Sequence, residues 1–476
     1  MANLGDLPVL AVYKDPAPVR NSNLKKLAGP NDATEVYVVA TRIVSDGKPS
    51  LGLWRCWGLV VGNTMASAVF LIPSLLSPYG GLGIIGLAAA GLGGLCFALI
   101  FSSLAERVSE PGGPYAYTRA AFGDFAGFLV AWIYWISLWS GAAAIATAIP
   151  SYLGGLFPAV AGSTAMSLGV TLLAVWVSVS INLLGVKEAS VVGLLVTVLK
   201  LLPLAAIATA GMFFVNWHTF PGLNRSSQTP TYALAAAFSV SFWCYIGVEA
   251  ATVPRQEVIG GARTIRRATI LGTLTVIACY LLVTVVTMGI VPSAQLDTAT
   301  SPLATVAARM VGAWGGTCIS LAALGSIFAG LHYTILITTQ MPAAASRDGL
   351  FPRAFGRRTR RGTPGVGLIL TGVLVSALVI MNTSKGLVGA YRFIILLATL
   401  TSVIPYAFCA IAALLVPSPA RESAIAQRWV AVLAVVSFAV TLAFVAGAGA
   451  DAAYWAMLLV LAGLPVYVVV SRMSRS

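Results

Sequence analysis

The sequence predicts an all-α membrane protein with twelve transmembrane helices, and three observations lead to this fold class. Hydrophobic residues make up 58% of the 476 residues and charged residues only 9%, whereas a soluble domain carries about 25% charged residues. Apolar segments of about 20 residues, long enough to cross a bilayer, recur along the chain after the first fifty residues. The basic residues are also divided very unevenly among the loops that join these segments.

The apolar segments define twelve spans with both termini on the cytoplasmic side of the cell (inner) membrane. The predicted spans are approximately residues 54–77, 82–105, 124–150, 163–184, 189–213, 231–253, 268–290, 314–341, 365–382, 388–416, 428–448 and 452–471. With this topology only Arg225, Arg309, Lys385 and Arg392 of the 29 basic residues lie outside, and Lys200 lies within a span. The bias follows the positive-inside rule and would be lost with eleven spans. The net charge of +14 is therefore explained by the topology. For this reason the basic residues do not predict a nucleic-acid partner.

Residues 1–50 contain no apolar span and predict a mostly irregular cytoplasmic extension before a transmembrane domain over 51–476. A short apolar run at 35–41 could form one strand. No cleavable signal peptide is expected, because this segment is mixed and polar. The six cysteines lie in or beside apolar segments without a CxxC pair, which predicts packed, reduced thiols, no metal site and no cofactor.

Two spans are interrupted by small and polar residues, at 62–68 in the first span and at 243–249 in the sixth. Backbone unwinds at membrane depth only where it lines a cavity or is buried in protein, and paired interruptions indicate a transporter binding site. Spans one and six are five apart, and because five is odd the second repeat must be inverted, giving repeats at about 54–213 and 231–416. The alternative is that the small residues merely permit close helix packing.

Two charged residues lie well inside apolar spans, Glu249 in the sixth and Lys200 in the fifth. A charge at this depth is costly, so it usually faces the protein interior and has a function. Glu249 could respond to protons and substrate, or it could be a protonated side chain that is hydrogen-bonded to unwound backbone. Lys200 could release a proton during transport, or it could be a permanent strut that ties the fifth span to the break in the first.

Four segments resemble the amino acid–polyamine–organocation (APC) superfamily. They are GNTMASAVFLIP at 62–73, ERVSEPGGPYAYTRAAFGDFAGF at 106–128, FWCYIGVE at 242–249 and RDGLFPRAFGRRTRRGTP at 347–364. The resemblance implies a LeuT-like fold, that is, a five-plus-five inverted repeat with broken helices one and six. Basic amino acid/polyamine antiporters, such as the arginine/agmatine antiporter, show the closest likeness. In many members a lysine at the position of Lys200 occupies the place of a sodium ion.

The resemblance and the interruptions together predict the substrate-binding residues. These are Asn63, Thr64, Ala66, Ser67, Ala68, Tyr134, Ser137, Trp243, Cys244, Tyr245, Gly247 and Glu249, and the positions that face the substrate's side chain further include Leu138, Ala142 and Ile145. Free N–H groups in the first span suit a carboxylate, and free carbonyls in the sixth suit an ammonium group. Trp243 could cover the ligand and hold a cation over its ring, or it could be a lipid-packed aromatic.

Several positions depart from the pattern of the resemblance and make arginine itself an unexpected substrate. Ala66 and Ala68 stand where glycines are common, and their methyl groups crowd the expected carboxylate pocket. Ala142 replaces an asparagine that the arginine exchanger uses, and the tryptophan expected near Gly330 is missing. His332, which is close by, could titrate near neutral pH, but a lone histidine on a packed helix is more often a satisfied structural residue.

The predicted function is secondary active transport of amino acids or related amines by alternating access, as an exchanger or a proton-coupled carrier. The chain is not expected to be an enzyme. A transporter-like sensor is one alternative, and a membrane-embedded transferase is another, although the convergent acids or histidines that a transferase needs at a membrane face are missing. The expected partners are a small-molecule substrate and membrane lipid, and a homodimer remains an open alternative.

Overall fold

The computed structural model describes residues 51–475, apart from residues 109, 111, 185–188, 219, 253–254, 256–257, 360–361 and 419–422. The predicted extension over 1–50, with its apolar run at 35–41, lies outside the described residues. Within the described part the secondary structure is helical, and the only β-type pairing is an isolated bridge between Leu51 and Val258. The prediction of an all-α fold is confirmed.

Nineteen α-helices make up the described part of the chain. They are α1 (Leu53–Thr64), α2 (Ala68–Leu76), α3 (Gly81–Arg107), α4 (Pro114–Phe122), α5 (Asp124–Thr147), α6 (Ile149–Leu156), α7 (Pro158–Gly162), α8 (Thr164–Leu184), α9 (Ala189–Ala210), α10 (Pro230–Phe242), α11 (Gly261–Ile290), α12 (Ser293–Leu296), α13 (Pro302–Val311), α14 (Ala313–Arg347), α15 (Gly365–Asn382), α16 (Gly386–Leu415), α17 (Ala424–Gly447), α18 (Ala450–Leu461) and α19 (Gly463–Arg475).

Ten helical segments of the described residues are long and apolar enough to cross a membrane, and the bent pair α1–α2 raises the number to eleven. One of the ten, Gly365–Leu415, contains both α15 and α16, which the 3₁₀ turn Thr383–Lys385 separates. These bounds agree with the predicted spans to within a few residues at most ends. The short helices α4, α7, α12 and α13 lie in connections where the sequence predicted no helix, and α6 extends the third span beyond its predicted end.

The first predicted interruption is a break between α1 and α2, whose axes bend by 42°. Met65 ends α1 with φ −98° and ψ 34°, and Ser67 precedes α2 with φ −124° and ψ −28°. Neither pair of angles continues a regular helix. Backbone groups on both sides of the break are therefore left without their usual partners one turn away.

The second interruption divides the sixth span after α10. A 3₁₀ turn over Trp243–Tyr245 follows the helix, and a second 3₁₀ turn runs over Val248–Ala251. Gly247 lies between them with φ +102°, in a left-handed conformation that favours glycine. A Cβ atom on Gly247 would lie 2.3 Å from Asn63 Nδ2. Only a glycine lets the second break approach the first so closely.

The second break packs against a face of helix α3 that carries glycines. A Cβ atom on Gly94 would lie 2.7 Å from Tyr245 Cβ, and one on Gly91 would lie 3.0 Å from the Tyr245 hydroxyl. Tyr245 is fully buried in this contact and donates a hydrogen bond to Leu87 O at 3.1 Å. The small residues of α3 thus hold the broken span in place by close packing.

Candidate functional site

A cavity of about 510 Å³, including the part that is open to solvent, lies where the two helix breaks meet. Both breaks contribute to its wall, α5 supplies one long face, and α14 and α16 add one residue each. The lining residues are Asn63, Thr64, Ala66, Ser67, Ala68, Tyr134, Ser137, Leu138, Gly141, Ile145, Trp243, Ile246, Gly247, Glu249, Thr334 and Ser402.

Most of the residues predicted to bind substrate line this one cavity. The exceptions are Cys244 and Tyr245, which are buried but absent from the lining. Side chains three apart lie above each other in a 3₁₀ turn, so Trp243 and Ile246 face the cavity while the two residues between them turn toward the protein. Ala142, expected to face a substrate side chain, is also fully buried and outside the lining.

Sequence reasoning missed four lining residues: Gly141, Ile246, Thr334 and Ser402. Gly141 lies seven residues after Tyr134 on α5, so helical periodicity could have found it. The two hydroxyl residues gave no such signal, because many Ser and Thr side chains in this protein bond to their own helix. Ser402 itself donates to Ala398 O at 3.0 Å.

Glu249 is buried at the second break between two tyrosine hydroxyls. Tyr134 of α5 donates a hydrogen bond to Oε1, and Tyr406 of α16 donates one to Oε2. The Tyr406 hydroxyl also accepts a hydrogen bond from the Gly247 N–H at 3.1 Å. Tyr406 was missed from the sequence, although it joins the carboxylate to the unwound backbone. One carboxyl group thus connects the second break to two other helices.

Lys200 lies beside the first break and is buried outside the cavity lining. Its Nζ atom donates hydrogen bonds to Gly62 O at 2.9 Å and to Met65 O at 3.2 Å. The Tyr280 hydroxyl of α11 donates to Thr64 O at 3.2 Å. Three carbonyls at the end of α1 are therefore satisfied by side chains from two other helices.

Close contacts at two glycines bring α5 against Trp243 and α14 against the first break. A Cβ atom on Gly141 would lie 3.1 Å from Cη2 of Trp243, so the indole ring lies directly against α5. A Cβ atom on Gly330 would lie 2.8 Å from Ala66 Cβ, so α14 presses against the first break. A larger side chain at position 330 would not fit without a shift of the backbone.

His332 is part of a hydrogen-bonded pair between α8 and α14. Asn182 donates from Nδ2 to His332 O at 3.1 Å, and the same atom lies 3.2 Å from His332 Nδ1. The histidine is absent from the cavity lining. These contacts match the interpretation of His332 as a satisfied structural residue. Among the described residues there is also no cluster of His, Cys, Asp or Glu that could hold a metal ion.

Comparisons with known proteins agree in pointing to transporters. A sequence profile of the amino acid permease family matches residues 51–471. The chain is 30% identical to the cadaverine/lysine antiporter of Escherichia coli (strain K12) over 349 residues, which cover 71% of this chain and 76% of that protein. It is 30% identical to the arginine/ornithine antiporter of Pseudomonas aeruginosa over 377 residues, 76% of this chain and 78% of that protein. An arginine/ornithine antiporter of Latilactobacillus sakei is 30% identical over 383 residues, again 76% of this chain and 78% of that protein.

Proposed function

Because the chain belongs to the amino acid permease family, we propose that it carries amino acids or related amines across the cell membrane by alternating access. The resemblance read from four sequence segments is confirmed by this membership, and a transporter family leaves the transferase alternative without support. The similar proteins are antiporters, which favours exchange over proton-coupled uptake. The observation that carries the proposal is the single cavity at the two helix breaks, lined by most of the residues predicted to bind substrate.

The two breaks offer opposite electrostatic poles to a ligand. At the first break, Lys200 and Tyr280 cap the carbonyl end of α1. The pole that remains for a ligand is the N–H end of α2, which carries partial positive charge and suits a carboxylate. At the second break, Tyr406 caps the Gly247 N–H, and the carbonyl end of α10 remains for an ammonium group. Together these poles complement the two charges of an amino acid.

Glu249 and Lys200 take different roles in this proposal. Glu249 faces the cavity and holds two tyrosines from different helices, so a change in its protonation alters contacts between elements that must move apart during transport. Lys200 stabilises the first break by donating to its carbonyls from a position outside the cavity lining. Whether its charge is permanent or changes during the cycle decides between the strut and the proton-coupling hypotheses.

The proposed architecture has twelve spans, in a LeuT-like arrangement of five-plus-five inverted repeats with broken first and sixth spans. Counting α15 and α16 as separate spans raises the eleven apolar segments to twelve. The cytoplasmic placement of both termini rests on the distribution of basic residues. The exposed apolar side chains of α17 and α18 suit contact with membrane lipid or, in a homodimer, with a second copy.

Labelling of single cysteines, introduced at Asn224 and at Thr359 after replacement of the native cysteines, tests the topology. Thr359 is exposed and Asn224 is half-buried. An impermeant thiol reagent applied from outside is expected to modify the cysteine at 224 and to spare the one at 359. Reaction of both positions from the same side would show that the count of twelve spans is wrong.

Counterflow in proteoliposomes tests the function. Purified protein is reconstituted with one unlabelled amino acid or amine inside, and uptake of the same labelled compound is measured across a panel. We expect at least one amino acid or amine to be taken up faster than by protein-free liposomes, and only when the vesicles are preloaded or a proton gradient is imposed. Binding without any uptake over the whole panel would favour the transporter-like sensor.

A further inference from the structure

The part of the cavity that would hold a substrate's side chain offers no free charge. The backbone poles at residues 63–68 and 243–247 account for one end of the cavity. The remaining lining consists of Leu138, Gly141 and Ile145 on α5, together with the hydroxyl residues Ser137, Thr334 and Ser402. Glu249 is the only ionisable carboxyl group in the lining.

Each oxygen of that carboxyl group already accepts one hydrogen bond. Tyr134 donates to one and Tyr406 to the other, and all three side chains are buried. This carboxyl group lies at the second break, with the pole proposed for the ammonium group, and the lining on α5, α14 and α16 contains no acid with which a cationic side chain could pair. Without such a partner the loss of hydration of a full charge is not offset.

The hydroxyl groups of the cavity suit neutral side chains. Ser137 donates its hydrogen to Tyr134 O at 2.9 Å, and Ser402 donates to Ala398 O at 3.0 Å. Each hydroxyl oxygen therefore keeps lone pairs that can accept a hydrogen bond, for example from a substrate hydroxyl. A neutral oxygen can accept that hydrogen bond, but it does not replace the countercharge that an ammonium or guanidinium group requires in a buried site.

The cavity is also narrow beside α5. The indole of Trp243 lies against Gly141, where a Cβ atom would be 3.1 Å from the ring. This contact limits the width that is available to a substrate's side chain beside α5.

We propose that the cavity selects zwitterionic amino acids with uncharged side chains, apolar or hydroxylated, over arginine, ornithine, lysine and diamines. The inference rests on the proposed transport function and specifies its substrate class. It separates this chain from the similar proteins, whose names specify arginine, ornithine, cadaverine and lysine.

Exchange in proteoliposomes with matched pairs of substrates tests the inference. We expect alanine, serine or threonine to exchange at least tenfold more efficiently than ornithine or lysine, a difference of about 1.4 kcal/mol in transition-state free energy. Exchange of one neutral amino acid for another should also be insensitive to an imposed membrane potential. Faster exchange of the cationic amino acids would overturn the inference and leave the transport function intact. No exchange of any amino acid or amine would instead contradict the transport function itself.

A pair of glycine variants tests where the substrate's side chain lies. In Gly141→Ala the added methyl group meets Trp243 and narrows the cavity, so exchange of valine should fall at least threefold relative to exchange of alanine. Gly169→Ala on α8 is the matched control, since a Cβ atom there meets nothing within 4 Å. An unchanged ratio of valine to alanine exchange in Gly141→Ala would overturn the placement. Binding measured on the purified variant separates a narrowed site from a misfolded protein.

Discussion

Replacement of Lys200 by methionine removes the charge that holds the first helix break and leaves the volume of the side chain nearly unchanged. The Nζ atom donates to two buried carbonyls, Gly62 O at 2.9 Å and Met65 O at 3.2 Å. A hydrogen bond from a charged donor contributes about 1.5–3 kcal/mol, and a buried carbonyl left without a partner costs about 1–3 kcal/mol. The variant loses both hydrogen bonds and leaves two carbonyls without a partner, but it also removes a desolvated charge, which offsets part of this loss. We therefore expect the free energy of unfolding to fall by about 3 kcal/mol.

Tyr280→Phe is the graded comparison for this variant. It removes one neutral hydrogen bond to the same break, from the Tyr280 hydroxyl to Thr64 O at 3.2 Å. A single neutral bond contributes about 1 kcal/mol. The thermal midpoint in detergent should therefore fall less for Tyr280→Phe than for Lys200→Met. A smaller fall for Lys200→Met would refute the account of Lys200 as the main support of the break.

Exchange measured at several pH values separates the two hypotheses for Lys200. If the ammonium group is a permanent strut, Lys200→Met should lose exchange at every pH, and Lys200→Arg should restore part of it. If Lys200 releases a proton during the cycle, Lys200→Met should keep substrate exchange, but with a flat pH profile. Survival of both the turnover and the pH dependence in Lys200→Met would refute both hypotheses.

Three further predictions concern the cavity and the ion pair between Arg225 and Asp297. Glu249→Gln should flatten the pH profile of exchange, because the amide cannot change its charge between the two tyrosines; an unaltered profile would remove Glu249 from the response to protons. Trp243→Leu should weaken substrate binding measured by calorimetry about tenfold, through loss of the covering ring and of any cation–π contact, and unchanged binding would place the ligand elsewhere. Burial raises the pKa of Asp297, but hydrogen bonds from Arg225 and Ser77 outweigh it, and the pKa lies below its ordinary value. The ionised Asp297 carboxylate therefore stabilises the folded protein above about pH 4, and this stabilisation is lost as pH falls through the lowered pKa. Arg225→Ala should lower stability at neutral pH by no more than about 1 kcal/mol and should reduce the loss on acidification; an acid profile identical to that of the parent would contradict this.

The two breaks could be predicted from the sequence because their residues violate the apolar pattern around them. Small and polar residues at 62–68 and 243–249 interrupt otherwise continuous spans, and a buried charge such as Lys200 is visible for the same reason. The side on which each residue lies was harder to predict. Cys244 and Tyr245 were expected in the site with Trp243, and the 3₁₀ geometry of the second break turns them away from the cavity.

Contacts between distant helices could not be predicted from local patterns. Tyr406 lies 157 residues from Glu249 and is one of several tyrosines in apolar segments. Nothing in its neighbourhood along the chain marks it as the partner of a carboxylate. Thr334 and Ser402 enter the lining in the same way, through the packing of α14 and α16 against the breaks. Periodicity shows which residues share a face of a helix, but not which other helix that face meets.

In the proposed site, helix ends bind the charged groups of the substrate and side chains contact the rest of it, which explains how one fold can bind several substrates. The poles proposed to recognise the carboxylate and the ammonium group belong to helix ends, and Lys200, Tyr280 and Tyr406 fix them from outside the lining. The end of the cavity proposed to hold the substrate's side chain is formed by different residues, on α5, α14 and α16. Substitutions at Leu138 or Ile145 would therefore change which side chain fits without moving either pole. For this reason family membership supports amino-acid or amine transport here, whereas the choice among amino acids depends on a few lining residues.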